Sequence, residues 1–315
     1  MVIGLAQQNV PSYGGQAVIE GVMFGGKQVT VTAIRRKSQE IEYFEAPRTE
    51  FPWVRALKKI PFIRGLVGLI EASANGAKHL NFASDRYSLE SDEEVSAGPS
   101  RMQMIFGVAV VGILSFLFGK FVFTLVPVFL AKFLLGNWVP DGIAQNLAEG
   151  VIKLILLLGY IMAIAQAPII KRLFQYHGAE HKVINAYESG VDLTVENVQK
   201  FSTLHYRCGS SFLIFTVIIG VVIYSLFTYD TLWDRVVQRI VLLPVVIGVS
   251  YEFLQWTNKL RDTPVLRYLG YPGLWLQKIT TREPDDSQVE VAIAAFEKMR
   301  TRDTEMNKQG LVTTG

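Results

Sequence analysis

GVIKLILLLGYIMAIAQAPII, residues 150–170, carries a single charged side chain, that of Lys153. A helix needs about 20 apolar residues to cross the roughly 30 Å hydrocarbon core of a bilayer, and this stretch is long enough. Apolar stretches of similar or greater length lie at about 102–135, 208–228 and 236–256. The sequence therefore predicts an α-helical integral membrane protein with about four transmembrane helices, for which the lipid bilayer is a partner.

Charged and helix-breaking residues interrupt some of these stretches. The first contains Lys120 and Pro127, so it is either one tilted or kinked helix, or a span to about residue 122 followed by an interfacial segment. Lys153 and Arg239 fall near the predicted outer ends of their spans, where long side chains can reach the headgroups. We therefore expect these two residues to extend toward the membrane surface, and the depth of Lys120 stays open.

Lysine and arginine are distributed unevenly between the segments outside the spans. Residues 1–101 carry 12, the central loop 171–207 carries five and the tail from 257 carries nine, whereas 136–149 carries none and 229–235 carries one. Cytoplasmic segments are enriched in these cations. The sequence therefore predicts a multi-pass protein of the cell membrane, with both termini and the central loop in the cytoplasm.

The polar and apolar patterns predict three parts. Residues 1–100 form a cytoplasmic β unit and an amphipathic membrane-surface segment, 101–256 form a four-helix transmembrane domain, and 257–315 form a cytoplasmic segment with a disordered end. Strand-like runs rich in Val, Thr, Ile and aromatic residues, together with paired glycines, predict the antiparallel β unit over 13–46. Residues 51–82 mix large apolar side chains with cations, which is typical of a helix on an anionic leaflet or of one packed on the β unit.

A capping pattern predicts the C-terminal helix. Ser287 and Glu290 have capping-box spacing before a periodic apolar run, which predicts a helix over 288–300. Asp285 and Asp286 would then lie at its positive end, where carboxylates are stabilised. The last 15 residues are expected to be disordered.

Three of the four histidines and the only cysteine fall between residues 177 and 208. His177 and His181 have the spacing that puts two imidazoles on one helix face, and His205 and Cys208 follow at the start of the third predicted span. Zinc prefers imidazole and thiolate ligands, so the sequence predicts a zinc site of His177, His181, His205 and Cys208. Four ligands would close a structural site, and three would leave a position for water. The fourth histidine, His79, is expected to be a surface or packing residue.

Several carboxylates are candidates for roles beside this site. Glu180 lies inside the histidine pair, giving H-x-x-E-H, a pattern whose glutamate serves as a base in some metalloproteases, and it is the predicted catalytic residue. Gly178 disfavours a helix there. Glu252, near the cytoplasmic end of the fourth span, is a candidate for orienting an imidazole, for ligation, or for a simple interfacial charge. Glu188 is either a ligand or a helix cap, and Glu20 is either on an exposed strand face or beside a cation.

The simplest alternative for the central loop is a polar helical hairpin, whose histidines titrate at the surface or bind neighbouring groups. Composition narrows the function further. One cysteine in 315 residues excludes an intramolecular disulfide. A net charge of +3 is too small to indicate a nucleic-acid partner.

Four separated segments carry a resemblance to a known family: GGQAVIEGVMFGGK at 14–27, YHGAEHKVINAYE at 176–188, STLHYRCGSSF at 202–212 and ITTREPDDSQVEVAI at 279–293. Over nearly its whole length the chain resembles the bacterial YqhQ family of unknown function, sometimes described as predicted metal-dependent enzymes. The resemblance implies an integral membrane protein. It marks as site residues His177, Glu180, His181, His205 and Cys208, and it implies no substrate.

Two functions from different classes fit these features. The first is a zinc-dependent hydrolase at the cytoplasmic membrane face, with Glu180 as general base and a lipid-linked or membrane-peptide substrate. The second is a non-catalytic membrane scaffold or assembly factor, with a structural metal site or none, that binds a membrane-protein partner or a second copy of the chain. A transporter is disfavoured because four spans are few and only Lys120 is a candidate for a charge at mid-membrane.

Overall fold

A computed structural model describes residues 11, 13–48, 51–88, 114, 118–119, 121–138 and 142–313. Its first part is an antiparallel meander of four strands in the order β1-β2-β3-β4. The strands are β1 Gly14–Val18, β2 Gly21–Gly25, β3 Val29–Arg35 and β4 Ile41–Pro47. The predicted β unit over 13–46 is confirmed.

Helices make up most of the remaining described chain. In order they are α1 Pro52–Leu57, α2 Ile63–Ser88, a π-helical turn Phe121–Leu125 leading into α3 Val126–Leu135, α4 Ile143–Ile164, α5 Pro168–Glu188, α6 Val195–Gln199, α7 Ser211–Ser225, α8 Leu232–Val241, α9 Leu243–Lys259, a 3₁₀ turn Leu266–Gly270, α10 Tyr271–Thr280 and α11 Asp286–Thr313. The fold is thus mostly helical, with one small N-terminal sheet.

Within the described ranges, α4 is the one helix whose length and apolar composition suit a membrane span. Helices α8 and α9 provide a second candidate if this pair, bent by 48°, counts as one broken span. The apolar helix α7 has 15 residues and is shorter than a span needs. Four crossings therefore stay a prediction, and Lys120 lies outside the described residues.

The sheet is covered by helices on both faces. On one face, Phe24 of β2 shares a core with Val183 of α5 and Phe296 of α11. On the other, Ile34 of β3 packs with Ala83 of α2. The predicted β unit and the predicted C-terminal segment thus share one hydrophobic core. The division of the chain into three parts at residues 100 and 256 stays a prediction.

His79 of α2 is a packing histidine, which is one of the two predicted roles, a surface residue or a packing residue. It is fully buried. Thr30 Oγ1 lies 2.9 Å from its Nε2, and Thr32 Oγ1 lies 2.6 Å from its Nδ1. Burial, with a smaller effect of Lys78, lowers the pKa of His79 to about 4. The contact shows that the 51–82 region does pack on the β unit.

A second core joins the long helices. Ile161 of α4, Phe215 of α7, Leu254 of α9 and Leu276 of α10 form one buried cluster. Helix α2 also contacts α9, where a Cβ on Gly65 would lie 2.6 Å from Tyr251. Helix α2 therefore links the sheet to this bundle.

Arg239 contradicts the expectation that it extends to the headgroups. It is only 1% exposed, and its Nε donates to Glu149 Oε1 at 3.0 Å. Arg235 donates to the other oxygen of Glu149 at 2.6 Å, and the ring of Tyr224 lies 4.0 Å from the Arg239 guanidinium. The reason is the buried Glu149 of α4, which needs cationic partners in apolar surroundings. Lys153 lines the same small cavity.

The start of α11 differs from the predicted cap. Gln288 N–H donates to Asp285 Oδ1 at 2.9 Å, and Asp285 N–H donates to Gln288 Oε1 at 3.0 Å. The reciprocal cap is thus two residues earlier than the predicted Ser287–Glu290 pair, and Ser287 instead donates to Asp285 at 2.6 Å. Asp285 was correctly placed at the positive end of the helix.

The prediction of disorder over the last 15 residues is wrong for residues 301–313, which continue α11. Contacts with the sheet hold this part of the helix, among them a pair between Arg302 and Glu45 of β4. The backbone N–H of Gln28 donates to Asp303 at 2.6 Å, and Met306 packs against the sheet core. Tertiary packing therefore extends the helix beyond its apolar repeat.

Candidate metal centre

Helix α5 presents His177 and His181 one turn apart, with their ring centroids separated by 4.5 Å. Cys208, just before α7, places its Sγ 3.2 Å from His177 Nε2. One ligand atom from each of these three residues lies within 4.8 Å of the other two. This spacing is close enough for all three to bind one metal ion, with the soft nitrogen and sulfur ligands that zinc prefers.

Backbone carbonyls orient both imidazoles of α5. His177 Nδ1 lies 2.8 Å from the carbonyl oxygen of Thr280, and His181 Nδ1 lies 2.5 Å from that of Thr203. A carbonyl oxygen can only accept, so each Nδ1 carries the hydrogen and each neutral ring keeps its lone pair on Nε2. Metal-ligating histidines use this arrangement, because the outer hydrogen bond fixes both tautomer and ring orientation.

Gly178 lets the chain segment that carries Thr280 approach α5. A Cβ at Gly178 would lie 2.1 Å from the carbonyl oxygen of Arg282. In addition, the N–H of Arg282 donates to the carbonyl of Phe174 at 2.9 Å. Gly178 lies within helix α5, although glycine disfavours helix formation. The close contact with Arg282 explains this position, because it requires a residue without a side chain.

The turn between β1 and β2 fixes α5 from the other side. Glu20, in that turn, binds the Arg172 guanidinium with both carboxylate oxygens and accepts from the Tyr176 hydroxyl at 3.3 Å. Glu20 is therefore beside a cation, one of its two expected environments. These contacts set the position of α5 one turn before His177.

Glu180 lies between the two histidines in sequence and is 5% exposed. The backbone N–H of Gly15 hydrogen-bonds its carboxylate, and a Cβ on Gly15 would lie 3.0 Å from both Cγ and Cδ of Glu180. Burial raises the pKa of Glu180 to about 7, against the opposing effects of His177 and the Gly15 N–H. The glycine pair at 14–15 thus allows the strand to approach this carboxylate.

His205 lies beside the three-ligand cluster and outside it. Its ring centroid is 5.8 Å from that of His181, and its Nε2 is 3.7 Å from Glu188, longer than a hydrogen bond. Burial is the main cause that lowers the pKa of His205. Gln277 holds its backbone, accepting from the His205 N–H and donating to the His205 carbonyl, both at 2.8 Å.

Glu188, for which a ligand and a helix cap were the two predicted roles, takes part in an ion-pair network. It binds Arg207 and lies 3.3 Å from Arg261. Burial alone would raise the pKa of Glu188, but His205 and Arg207 outweigh it and lower the pKa to about 2. The carboxylate is therefore charged and paired.

The candidate ligands line a cavity of about 690 Å³. Its walls include Glu180, Cys208 and His205, together with residues 14–17 of β1 and Leu254 of α9. This volume is within the range of small-molecule sites. The arrangement can therefore hold a metal ion, a carboxylate base and a ligand in one space.

Comparison with known proteins agrees with the resemblance carried by the four sequence segments. A family model described as a protein of unknown function (DUF1385) matches residues 60–302. A protein of Bacillus subtilis (strain 168), Uncharacterized protein YqhQ, is 57% identical over 297 residues, which cover 92% of each chain. The chain belongs to the YqhQ family. No solved structure matches it.

In this member of the YqhQ family, Glu252 pairs with a cation of α2; ligation and orientation of an imidazole were the other two roles considered for it. Its Oε1 accepts from Arg64 Nε at 2.7 Å and from the N–H of Phe62 at 3.1 Å, and Arg64 also binds its other oxygen. Helix α2 thus supplies the cationic partner that a carboxylate in these surroundings requires, in agreement with the alternative of an interfacial charge. The orienting groups are backbone carbonyls.

Sequence reasoning did not find Thr203, Thr280 or Gln277 as residues of this YqhQ-family centre. The first two act through their carbonyl oxygens, which every residue type has, so no sequence signal marks them. Gln277 is fully buried. A polar residue within the otherwise apolar run of α10 is the sequence signal that could have indicated it. Gly15 belongs to one of the glycine pairs of the predicted β unit, but the sequence does not indicate which residue it contacts.

Proposed function

We propose that this YqhQ-family protein is a zinc-dependent hydrolase that acts at the cytoplasmic face of the cell membrane, on a lipid-linked or membrane-peptide substrate. The observation that carries the proposal is the convergence of His177, His181 and Cys208, with both Nε2 lone pairs preset by hydrogen bonds from Nδ1.

The number of converging ligands favours catalysis over a purely structural role. Closed structural zinc sites use four protein ligands, whereas catalytic sites use three and keep one position for water. Zinc in such a site would lower the pKa of water so that it attacks at neutral pH. His205, the fourth predicted ligand, lies outside the cluster of three.

Glu180 is the proposed general base. It lines the same cavity as the three ligands, and the Gly15 N–H holds its carboxylate in place. Glu180 takes the proton of the attacking water and delivers it to the leaving group as the bond breaks. This role depends on the carboxylate facing the cavity that the three candidate ligands also line.

Three features support a location at the membrane. Helix α4 and the bent α8–α9 pair are candidate spans. The cationic residues concentrate in the segments predicted to be cytoplasmic, including the loop with His177. Large apolar side chains on and next to α1 and α2 are exposed, among them Phe51 at 63%, Trp53 at 64% and Ile70 at 70%, which suits a helix lying on lipid.

Elemental analysis of protein purified without added metal tests the binding step. We expect about one zinc per chain, as a single-ion site requires, and its loss in a His177→Ala/His181→Ala variant. Wild type free of zinc and other transition metals would contradict the proposal.

Complementation of a deletion strain tests catalysis. Glu180→Gln should keep zinc and fail to complement, and Glu196→Gln, an exposed carboxylate on α6, should complement fully. A non-catalytic scaffold makes the opposite prediction for Glu180→Gln, which would then complement as well as wild type, while His181→Ala would lower protein stability.

A further inference from the structure

A second cavity, of about 750 Å³, adjoins the metal cavity. The two share Gly14, Gly15 and Gln16 of β1, Ala72 of α2 and Gln255 of α9 as lining residues. Strand β1 and these two helices therefore form a common boundary. A molecule large enough to pass Gln16 and Gln255 could occupy both spaces.

The second cavity is strongly basic. Five cationic side chains line it, contributed by the end of the sheet and by α1, α2 and α9: Arg48, Lys58, Arg64, Lys78 and Lys259. Glu71 is the lining carboxylate, and Glu252 reaches Arg64 from beside the cavity. Five cations against two carboxylates leave an excess of positive charge, which favours an anionic ligand.

Ion pairs position part of this cationic wall. Glu71 binds Lys58 and lies 3.6 Å from Arg48, while Glu252 binds Arg64 through both oxygens. These pairs restrain the long side chains before a ligand arrives, which lowers the entropy lost on binding. The amide groups of Gln16 and Asn75 add neutral hydrogen-bond donors to the same wall.

Helix α2 lines the basic cavity with one face and carries exposed apolar side chains on the other. Gly68, Glu71 and Ala72 line it from α2, and Leu69 and Ile70 in the same turn are 41% and 70% exposed. If that apolar face rests on lipid, a ligand bound here would have its charged group among the cations, near the bilayer surface. This combination suits an amphiphile with an anionic head.

We propose that the basic cavity binds a phosphate group of the substrate, and that the reacting part of the same molecule extends past Gln16 and Gln255 into the metal cavity. Arginine and lysine are the side chains that recognise phosphate. The second half of this inference rests on the proposed hydrolase function, and phosphate binding itself does not. The phosphate belongs to a membrane lipid or to a soluble phosphate ester.

Binding measurements on the full-length protein in neutral detergent test the inference. The probes are a short-chain phosphatidic acid, the matching diacylglycerol without phosphate, and inorganic phosphate. We expect the phosphatidic acid to bind and the diacylglycerol to bind at least about ten-fold more weakly, because it lacks the charge-assisted hydrogen bonds. Equal binding of inorganic phosphate would assign a soluble ester as the source, and its absence would assign a lipid.

Matched lysine variants locate the site. Lys78→Gln/Lys259→Gln should weaken phosphatidic acid binding by about ten-fold, whereas Lys78→Arg/Lys259→Arg should stay close to wild type. Lys27→Gln/Lys200→Gln changes two lysines that do not line the cavity and should have no effect. Loss of binding in this control pair equal to that in the cavity pair, or no binding of either phosphate probe to wild type, would overturn the inference.

The zinc-free His177→Ala/His181→Ala variant separates this inference from the proposed function. It should bind phosphatidic acid as wild type does, because the basic cavity contains neither histidine. Phosphate binding in a protein that holds no zinc would leave the inference standing while the hydrolase fails. Zinc in a protein that binds no phosphate would leave the hydrolase proposal standing and overturn the inference.

Discussion

The Sγ of Cys208 lies 3.2 Å from Nε2 of His177, a contact between residues 31 positions apart in the chain. Because Nδ1 of His177 already donates to the Thr280 carbonyl, Nε2 is an acceptor and the thiol is its donor in the metal-free form. Metal binding would replace that shared proton with an ion held by both atoms. The contact therefore identifies Sγ of Cys208 and Nε2 of His177 as candidate ligand atoms.

Cobalt substitution should reveal the thiolate ligand. We expect the cobalt-loaded protein to show a sulfur-to-metal charge-transfer band, because a coordinating thiol is deprotonated. Cys208→Ser should abolish the band, and His205→Gln should keep it, since His205 lies outside the ligand cluster. Loss of bound cobalt in His205→Gln would instead indicate four protein ligands.

Gly15→Ala should damage the site through a steric effect. The added Cβ would lie 2.6 Å from the Met23 carbonyl oxygen and 3.0 Å from two carbons of Glu180, which we expect to cost about 1–3 kcal/mol of stability. Zinc content should be retained and complementation impaired, because Glu180 is displaced. Gly14→Ala is the control, as a Cβ there meets no atom within 4 Å. Equal effects of the two substitutions would refute this account of Gly15.

Acid should destabilise the contact between α2 and the sheet through His79. Its pKa is lowered from 6.5 to about 4 on folding, so between these values the unfolded chain binds more protons than the folded one. Stability from this group is therefore present above pH 6.5 and is lost as the pH falls toward 4, by about 2 kcal/mol at pH 5. Thermal unfolding at pH 7 and pH 5 should show a smaller pH effect in His79→Asn than in wild type. An identical pH effect in both proteins would show that His79 contributes nothing.

Glu149→Gln should lower stability more than a surface carboxylate change. Glu149 neutralises Arg235 and Arg239, whose side chains are each 1% exposed, and its loss leaves two buried cations without a carboxylate. Breaking a buried pair typically costs about 3–5 kcal/mol. Thermal unfolding in detergent should show this loss, and Glu196→Gln should have almost no effect because its pair with Lys200 is exposed. A wild-type unfolding temperature in Glu149→Gln would mean that the cluster is not structurally required.

The parts of the fold with a local periodic pattern were predictable from the sequence. Runs rich in Val, Thr, Ile and aromatic residues predicted β3 and β4, and the spacing of His177 and His181 predicted two candidate ligands on one helix face. In each case the physical cause acts between residues that are close in the chain. The same reasoning located Asp285 at the positive end of α11.

What the sequence could not supply depends on distant partners. Arg239 is buried because Glu149, 90 positions away, is buried with it. The backbone of His205 is held beside the candidate ligands by Gln277, 72 positions further on. Glu252 binds Arg64, 188 positions earlier. None of these distances follows from periodicity, because each is set by how the helices pack.

The carbonyl that orients His177 belongs to Thr280, the last residue of α10. Helix α10 packs on α7. During synthesis, the ribosome makes His177 and Cys208 long before it makes Thr280, and Gly15 long before either. The centre therefore joins segments that are synthesised far apart in time, and we expect it to bind an ion only after α10 has been made. A chain released early would leave His177 without its fixed tautomer.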